Sequence, residues 1–362
     1  MKKREHFIFG NALKNLYRDA KDNQYAVPAV NVIGTNSVNA ALEAAKEVCS
    51  PIIIQLSYSG AAFFIGKGCG LSGTEASVEG AVFAAKYIRN AANIYNVDVV
   101  IHTDHASKKL LPWIDGLLAA GQEYFKETGK PLFSSHMLDF SEEPLKENIS
   151  LSANYLKKLT ALDMLLEIEL GCTGGEEDGV DNTHIDNAKL YTQPEDVAYA
   201  YEQLIGISSN FTVAAAFGNV HGVYKSGQVK LTPKILANSQ SYLSEKFNLP
   251  PNPLSFVFHG GSGSKIYHIH EAIYYGTVKM NIDTDTQWSF WQGIKDYYQS
   301  NANYLQSQLG NPTGLEQPNK KYYDPRVWLR FSEEYMKNRL VKCFENLNCI
   351  NRSAPKIEKS KF

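Results

Sequence analysis

The sequence predicts an α/β chain folded as a (β/α)₈ TIM barrel with a C-terminal helical extension. Three observations carry that expectation. The chain has eight short, strongly apolar or β-branched runs. Longer segments with three- and four-residue apolar spacing separate them. The runs are dominated by apolar residues rather than strictly alternating, as in a parallel sheet covered on both faces. Eight such units suit a closed barrel; a doubly wound open sheet is the alternative topology.

The runs are AVPAVNV (26–32), PIIIQL (51–56), VDVVIHT (97–103), LFSSHML (132–138), MLLEIEL (164–170), FTVAAAF (211–217), LSFVFHG (254–260) and TVKMNID (277–283). Between the first three lie the helical patterns SVNAALEAAKEV (37–48) and SVEGAVFAAKYIRNAAN (77–93), each with a serine at the expected N-cap. The segment KIYHIHEAI also reads as helix, which turns His268 and His270 to different faces. From residue 285 to 362 the pattern reads as extra helices, broken by the prolines and glycine of 311–330. With no low-complexity linker, residues 1–362 are expected to form one catalytic barrel domain that includes this extension.

Composition narrows the class without naming a chemistry. Of 362 residues, 36 are Lys or Arg and 38 are Asp or Glu, a net charge of −2 with no basic block. That balance gives no reason to expect nucleic-acid or membrane partners. The five cysteines are odd in number and lack CxxC spacing, which fits a reducing compartment and a cytoplasmic protein. The basic N-terminus is not followed by the apolar core of a signal peptide, and no stretch approaches a membrane span. The terminal Ser-Lys-Phe misses the peroxisomal signal by one residue.

Barrel active sites form at the C-terminal ends of the strands. The runs end in Asn31, Gln55 with Ser57, Asp104 with His105, Asp139, Glu167 with Glu169, His221, His259, and Asn281 with Asp283. Loops beginning at strand ends account for Ser and Asn, but poorly for three histidines and five carboxylates in one register. His105, His221 and His259 follow the third, sixth and seventh strands, and three neutral imidazoles with an open position suit a catalytic zinc. His102 is read as supporting a ligand from behind. His6, His136 and His184 carry no expected role. Glu167 and Glu169 share strand parity, so both should face the barrel interior. Lys279 could pair with Glu167, while Glu169 and Asp139 could join the metal; an ion-pair network without a metal is the other reading.

Two loops suit phosphate. HGGSGS (259–264) and NIDTDT (281–286) offer backbone amides that glycine lets an anion approach, and Gly222 adds another donor. The loop 171–184 is glycine-rich and acidic around Glu176 and Glu177. It is either a solvated loop or a lid that carries a general base into the site. A metal, phosphate loops, Asp104 beside a ligand and a mobile Glu together make a metal-dependent aldol reaction.

The segments HTDHASKKLLPW (102–113), PLFSSHMLD (131–139), ELGCTGGEEDGVDN (169–182), AAAFGNVHGVY (214–224), FHGGSGS (258–264), KMNIDTDTQW (279–288) and NKKYYDPRVWLR (319–330) span nearly the whole chain. In combination they resemble the class II fructose-bisphosphate aldolases, specifically the longer, dimeric class IIA type. The resemblance implies reversible cleavage of fructose 1,6-bisphosphate to dihydroxyacetone phosphate and glyceraldehyde 3-phosphate, in glycolysis and gluconeogenesis, by a homodimer. It implies Zn²⁺ on His105, His221 and His259, with Asp139 and Glu169 at a second or alternate divalent-ion site. A monovalent cation, Na⁺ or K⁺, is implied beside the phosphate. Asp104 resembles the proton donor to the aldehyde, Glu177 the base that forms the enediolate, and Asn281 the group that stabilises it. Gly222, Gly260, Gly261, Ser262, Asn281, Ile282, Asp283 and Thr284 match contacts to dihydroxyacetone phosphate. Ser57 matches a contact to the other triose phosphate. Arg326 resembles a contact to the second phosphate, reaching in from the partner subunit.

The chain departs from the family pattern twice. Tyr58 stands where Asn is usual after the second strand, which leaves a related ketose bisphosphate, tagatose or sedoheptulose, as an alternative substrate. ASKK replaces the frequent CAKK after His105. The remaining rivals are a lysine Schiff-base aldolase using Lys279 and a non-catalytic sugar-phosphate-binding barrel.

Overall fold

The computed structural model describes residues 5–71, 73–172, 190–220 and 230–353, together with the backbone of Glu176–Glu177 and Val180–Asp181. Eight parallel strands close into a barrel: β1 (Val27–Asn31), β2 (Ile52–Leu56), β3 (Val99–Thr103), β4 (Ser135–Leu138), β5 (Leu165–Leu170), β6 (Phe211–Ala215), β7 (Phe256–Phe258) and β8 (Thr277–Ile282). Their spatial order is β1-β8-β7-β6-β5-β4-β3-β2. Each lies within one of the eight apolar runs, so the TIM-barrel expectation holds. Every strand but β1 is buried along its full length, which is why the runs do not alternate.

The covering helices include α1 (Gly10–Asp22), α2 (Thr35–Glu47), α3 (Tyr58–Ile65), α4 (Gly73–Tyr95), α5 (Leu111–Thr128), α6 (Leu145–Thr160), α7 (Pro194–Ile205), α8 (Lys234–Phe247) and α9 (Ile266–Tyr274). Ahead of α1, Phe7 bridges Val99 at the start of β3. Two N-cap expectations need correction. The α2 helix begins at Thr35, two residues before Ser37, and Ser37 Oγ reaches back to accept from the amides of Ile33 (3.1 Å) and Gly34 (3.3 Å). A serine at the third helical position can satisfy the same unpaired amides as one at the cap. In α4, which begins at Gly73, Ser77 lies inside the helix and its hydroxyl donates to Tyr58 O at 2.9 Å.

Close packing of α3 on α4 depends on Gly80, where an added Cβ would lie 1.8 Å from Ala61 O. The obstructing atom is backbone, so the helices must separate. Overpacking costs about 1–3 kcal/mol, more than the roughly 0.5–1 kcal/mol that alanine gains in a helix. Gly80→Ala should therefore lower the urea midpoint; an unchanged or raised midpoint would contradict this packing.

The C-terminal extension comprises α10 (Thr284–Asn301), a hairpin of Leu309–Asn311 and Gly314–Pro318, α11 (Lys320–Tyr323) and α12 (Pro325–Asn346). The hairpin and short α11 occupy the stretch whose prolines and glycine interrupt the helical pattern. Arg330 on α12 makes two 2.8 Å bonds to the Glu43 carboxylate on α2, and Lys337 reaches Glu47 at 2.7 Å. These pairs tie the extension to the barrel wall. Among the described residues, no helix is long and apolar enough to cross a membrane.

Candidate metal centre

Strand register decides which side chains meet inside the barrel. Gln55 on β2 lies beside Asn31 on β1 and His102 on β3, while His102 neighbours Ser135 on β4. Glu167 and Glu169 on β5, with Lys279 and Asn281 on β8, share interior parity and are all buried. Beyond the strands, the loops after β3 and β4 bond to each other: the Asp139 amide donates to Ala106 O, and Ser107 bridges Asp139. That pairing carries His105 to Asp139. His105 takes φ = 20°, uncommon for a residue with a side chain.

His105, Glu169 and His259 offer ligand atoms that all lie within 4.8 Å of one another. Glu169 Oε2 is 3.4 Å from His259 Nδ1 and 3.6 Å from His105 Nδ1. A tetrahedral ion with bonds of about 2.1 Å separates its ligands by roughly 3.4 Å, so both separations of Glu169 from the histidines suit a shared divalent ion of the zinc class. Asp139 adjoins them, its Oδ2 3.2 Å from His105 Nδ1 and its Oδ1 accepting from the Ser141 hydroxyl at 2.6 Å.

Charge is concentrated at this cluster. Burial would lower the His259 imidazolium pKa, but hydrogen bonds to Glu167 and Glu169 and the Glu169 charge hold it at about 9. Burial raises the Asp139 pKa less than His105 and Ser141 lower it, leaving about 2. Glu167 is held well below the usual carboxylate range because Lys279, His102 and His259 outweigh its burial. Deep in the wall, His136 bonds Thr103 Oγ1 at 2.6 Å, and burial lowers its pKa to about 3.

Asp104 lies beside His105, just past β3, and is almost wholly buried. Three amides surround its carboxylate. Oδ2 accepts from Asn31 Nδ2 at 3.0 Å and Gln55 Nε2 at 3.1 Å, and Oδ1 from Asn281 Nδ2 at 3.3 Å. Gln55 also donates to Asn31 Oδ1 at 2.6 Å, which makes the group one network. Asn31 and Gln55 had no assigned role from sequence, although their strand-end positions marked them. Asn219 is a second omission. Its amide donates to His259 O at 3.0 Å and links the loops after β6 and β7, with only its position near His221 to mark it.

The residues expected from sequence to receive phosphate lie after β7 and at the end of β8. Gly260 has φ = 61°, and a Cβ there would lie 2.5 Å from Val220 O; one on Gly261 would meet Met280 at 2.2 Å. Backbone therefore excludes a side chain at Gly260 before any anion is considered, whereas one at Gly261 would require Met280 to move. Residues 261–264, among them Ser262, line a cavity of about 270 Å³. Ile282 ends β8, Asp283 precedes α10, and Thr284 opens that helix, whose first amides form an anion-favouring terminus. Ser57 caps α3 by accepting from the Gly60 amide at 3.2 Å. Tyr58 stacks edge-on against buried Trp113, ring centres 5.6 Å apart.

The structure thus gathers His105, His259, Glu169 and Asp139 in one cluster, and Asp104 with Asn281 in an adjoining network. Arg326 joins neither group. It is exposed on the first turn of α12 and makes a double contact to Asp324. His221, Gly222 and the Glu177 side chain lie outside the described residues.

Comparison with known proteins extends the likeness along the chain. The sequence profile described as "Fructose-bisphosphate aldolase class-II" matches residues 11–352. A fructose-bisphosphate aldolase of Edwardsiella ictaluri is 59% identical over 344 residues, covering 95% of this chain and 96% of the relative. A "Fructose-bisphosphate aldolase class 2" of Escherichia coli is 57% identical over 345 residues, with the same coverage. The crystal structure of a fructose-bisphosphate aldolase from Campylobacter jejuni superposes with a TM-score of 0.88 at 57% identity, covering 96% of this chain and 97% of that one.

Proposed function

The chain belongs to the class-II fructose-bisphosphate aldolase family, and from that membership we propose how its own residues carry out the reversible cleavage of fructose 1,6-bisphosphate. The observation that carries the reading is the convergence of His105, Glu169 and His259 within 4.8 Å, with Asp104 on the residue next to His105. When bound, a divalent ion, zinc in this proposal, supplies a Lewis acid that polarises the ketose carbonyl. His105 and His259 hold it together with His221, and Glu169 and Asp139 serve a second or alternate position.

Around that centre the work belongs to side chains. In cleavage, Asp104 takes the proton from the C4 hydroxyl, and in condensation it returns that proton to the aldehyde oxygen. The amides of Asn31, Gln55 and Asn281 fix its orientation, since each bonds the carboxylate. Asn281 also stabilises the enediolate. Glu177 exchanges the proton at the carbon of dihydroxyacetone phosphate that bonds to the aldehyde. The amides of Gly222, Gly260, Gly261, Ser262 and 281–284 receive the phosphate of dihydroxyacetone phosphate, with a monovalent cation, Na⁺ or K⁺, beside it. Ser57 contacts the other triose phosphate.

The working form we propose is a cytoplasmic homodimer, in which Arg326 reaches the distal phosphate in the neighbouring subunit. Its guanidinium is exposed, and so are Trp288 and Trp291 on α10 and Val327 on α12, a surface that a second copy would cover. The Schiff-base alternative would need a reachable Lys279. That amine is fully buried and held by both Glu167 oxygens, at 2.8 and 2.9 Å.

Chelation tests the reading. Exhaustive treatment with EDTA should abolish cleavage of fructose 1,6-bisphosphate, and added zinc should restore it. Activity that survives the chelator, and is trapped by borohydride in the presence of substrate, would replace the metal centre with a lysine imine.

A further inference from the structure

Glu167 and Lys279 are buried in the barrel, behind the metal-ligand cluster, and neither has a part in the proton transfers proposed above. Burying an ion pair carries a large desolvation cost, and an apolar pair of similar volume is often as stable. The contacts of this pair suggest what it does. Glu167 Oε1 lies 2.8 Å from His259 Nε2, and Lys279 Nζ donates to both oxygens of the same carboxylate. On the other side, His102 Nε2 is 3.7 Å from Glu167 Oε2, and His102 is itself tied through Nδ1 to Ser135 Oγ at 2.7 Å. The carboxylate is therefore held from two sides, by the His259 ring and by the Lys279 amine.

A ring nitrogen 2.8 Å from a carboxylate oxygen must carry the hydrogen, because two lone pairs at that distance repel. Once Nε2 is the donor, a neutral His259 presents its lone pair at Nδ1. That atom is the one facing Glu169, 3.4 Å from its Oε2. We propose that Glu167, clamped by Lys279, is a positioning residue that fixes the tautomer and ring orientation of His259 so that Nδ1 faces the metal. The inference rests on the reading of His259 as a metal ligand and assigns the buried pair to metal affinity rather than to fold stability. Partners of this kind typically contribute 10–100-fold to metal affinity.

Two measurements test it. In the zinc-loaded, ¹⁵N-histidine-labelled protein, the His259 signal should show hydrogen on Nε2 and metal on Nδ1; metal on Nε2 would overturn the proposal without any substitution. The second uses the double variant Glu167→Gln with Lys279→Met, which removes both charges and keeps the approximate volumes. Its urea midpoint should stay near that of the unaltered protein. Its zinc dissociation constant, measured by competition with a chromophoric chelator, should rise about 10–100-fold. A folded double variant that binds zinc as tightly as the unaltered protein would make the pair structural only. If the double variant does not fold, the pair is needed for folding, and the histidine spectrum of the unaltered protein decides the positioning role. An unaltered protein that binds no zinc would instead remove the metal reading itself, which keeps the two failures distinct.

Discussion

Asp104→Ala is expected to reduce kcat for cleavage by about 10²–10⁴-fold, the range that a well-placed general acid or base contributes. Zinc content should not change, because Asp104 lies outside the His105–Glu169–His259 cluster. The reaction's two proton transfers make the prediction sharper. In the proposed mechanism Asp104 serves the oxygen of the departing aldehyde, and Glu177 serves the carbon of dihydroxyacetone phosphate. Exchange of that carbon-bound hydrogen with solvent should therefore persist in the variant while cleavage collapses. Equal loss of both would mean that Asp104 is not confined to the aldehyde side. Asn31, Gln55 and Asn281 all donate to this carboxylate, so alanine leaves three amides facing a small cavity. The protein should fold, with a modest loss of stability.

His259→Ala should remove zinc and activity together. The imidazole is fully buried between Glu167 and Glu169, and its loss leaves those two carboxylates without the group that both engage. The drop in metal affinity should exceed the 10–100-fold that follows loss of a supporting partner, because a direct ligand is gone. Cleavage measured at trace metal should fall to background, and excess zinc should restore only part of it. A variant that kept both full zinc content and full activity would exclude His259 as a ligand.

Much of this was legible in the sequence because both the fold and the site follow short-range rules. Eight predominantly apolar runs specify a covered parallel sheet, and a barrel places the residues after each run on one face. Strand parity alone turns Glu167 and Glu169 inward. What parity could not do was separate their surroundings. Glu167 meets Lys279 from β8 and His259 from beyond β7, whereas Glu169 faces two histidines. Those partners are set by closure of the barrel, which joins strands far apart in sequence. The amides around Asp104 were hidden for the same reason, since Asn31, Gln55 and Asn281 come from β1, β2 and β8. Helix starts were missed locally instead: Ser37 and Ser77 bond backward from within their helices, and a sequence pattern does not distinguish that from a cap. The form of 311–330 was open because its hairpin is mostly exposed and lacks an alternating apolar face.

X-ray diffraction from zinc-loaded crystals, recorded on both sides of the zinc absorption edge, locates the ion without reference to activity. An anomalous peak at the barrel mouth, within about 2.0–2.1 Å of nitrogens from His105 and His259, is the expected result. A peak elsewhere, or bound zinc that touches neither histidine, would contradict a catalytic metal centre at this cluster.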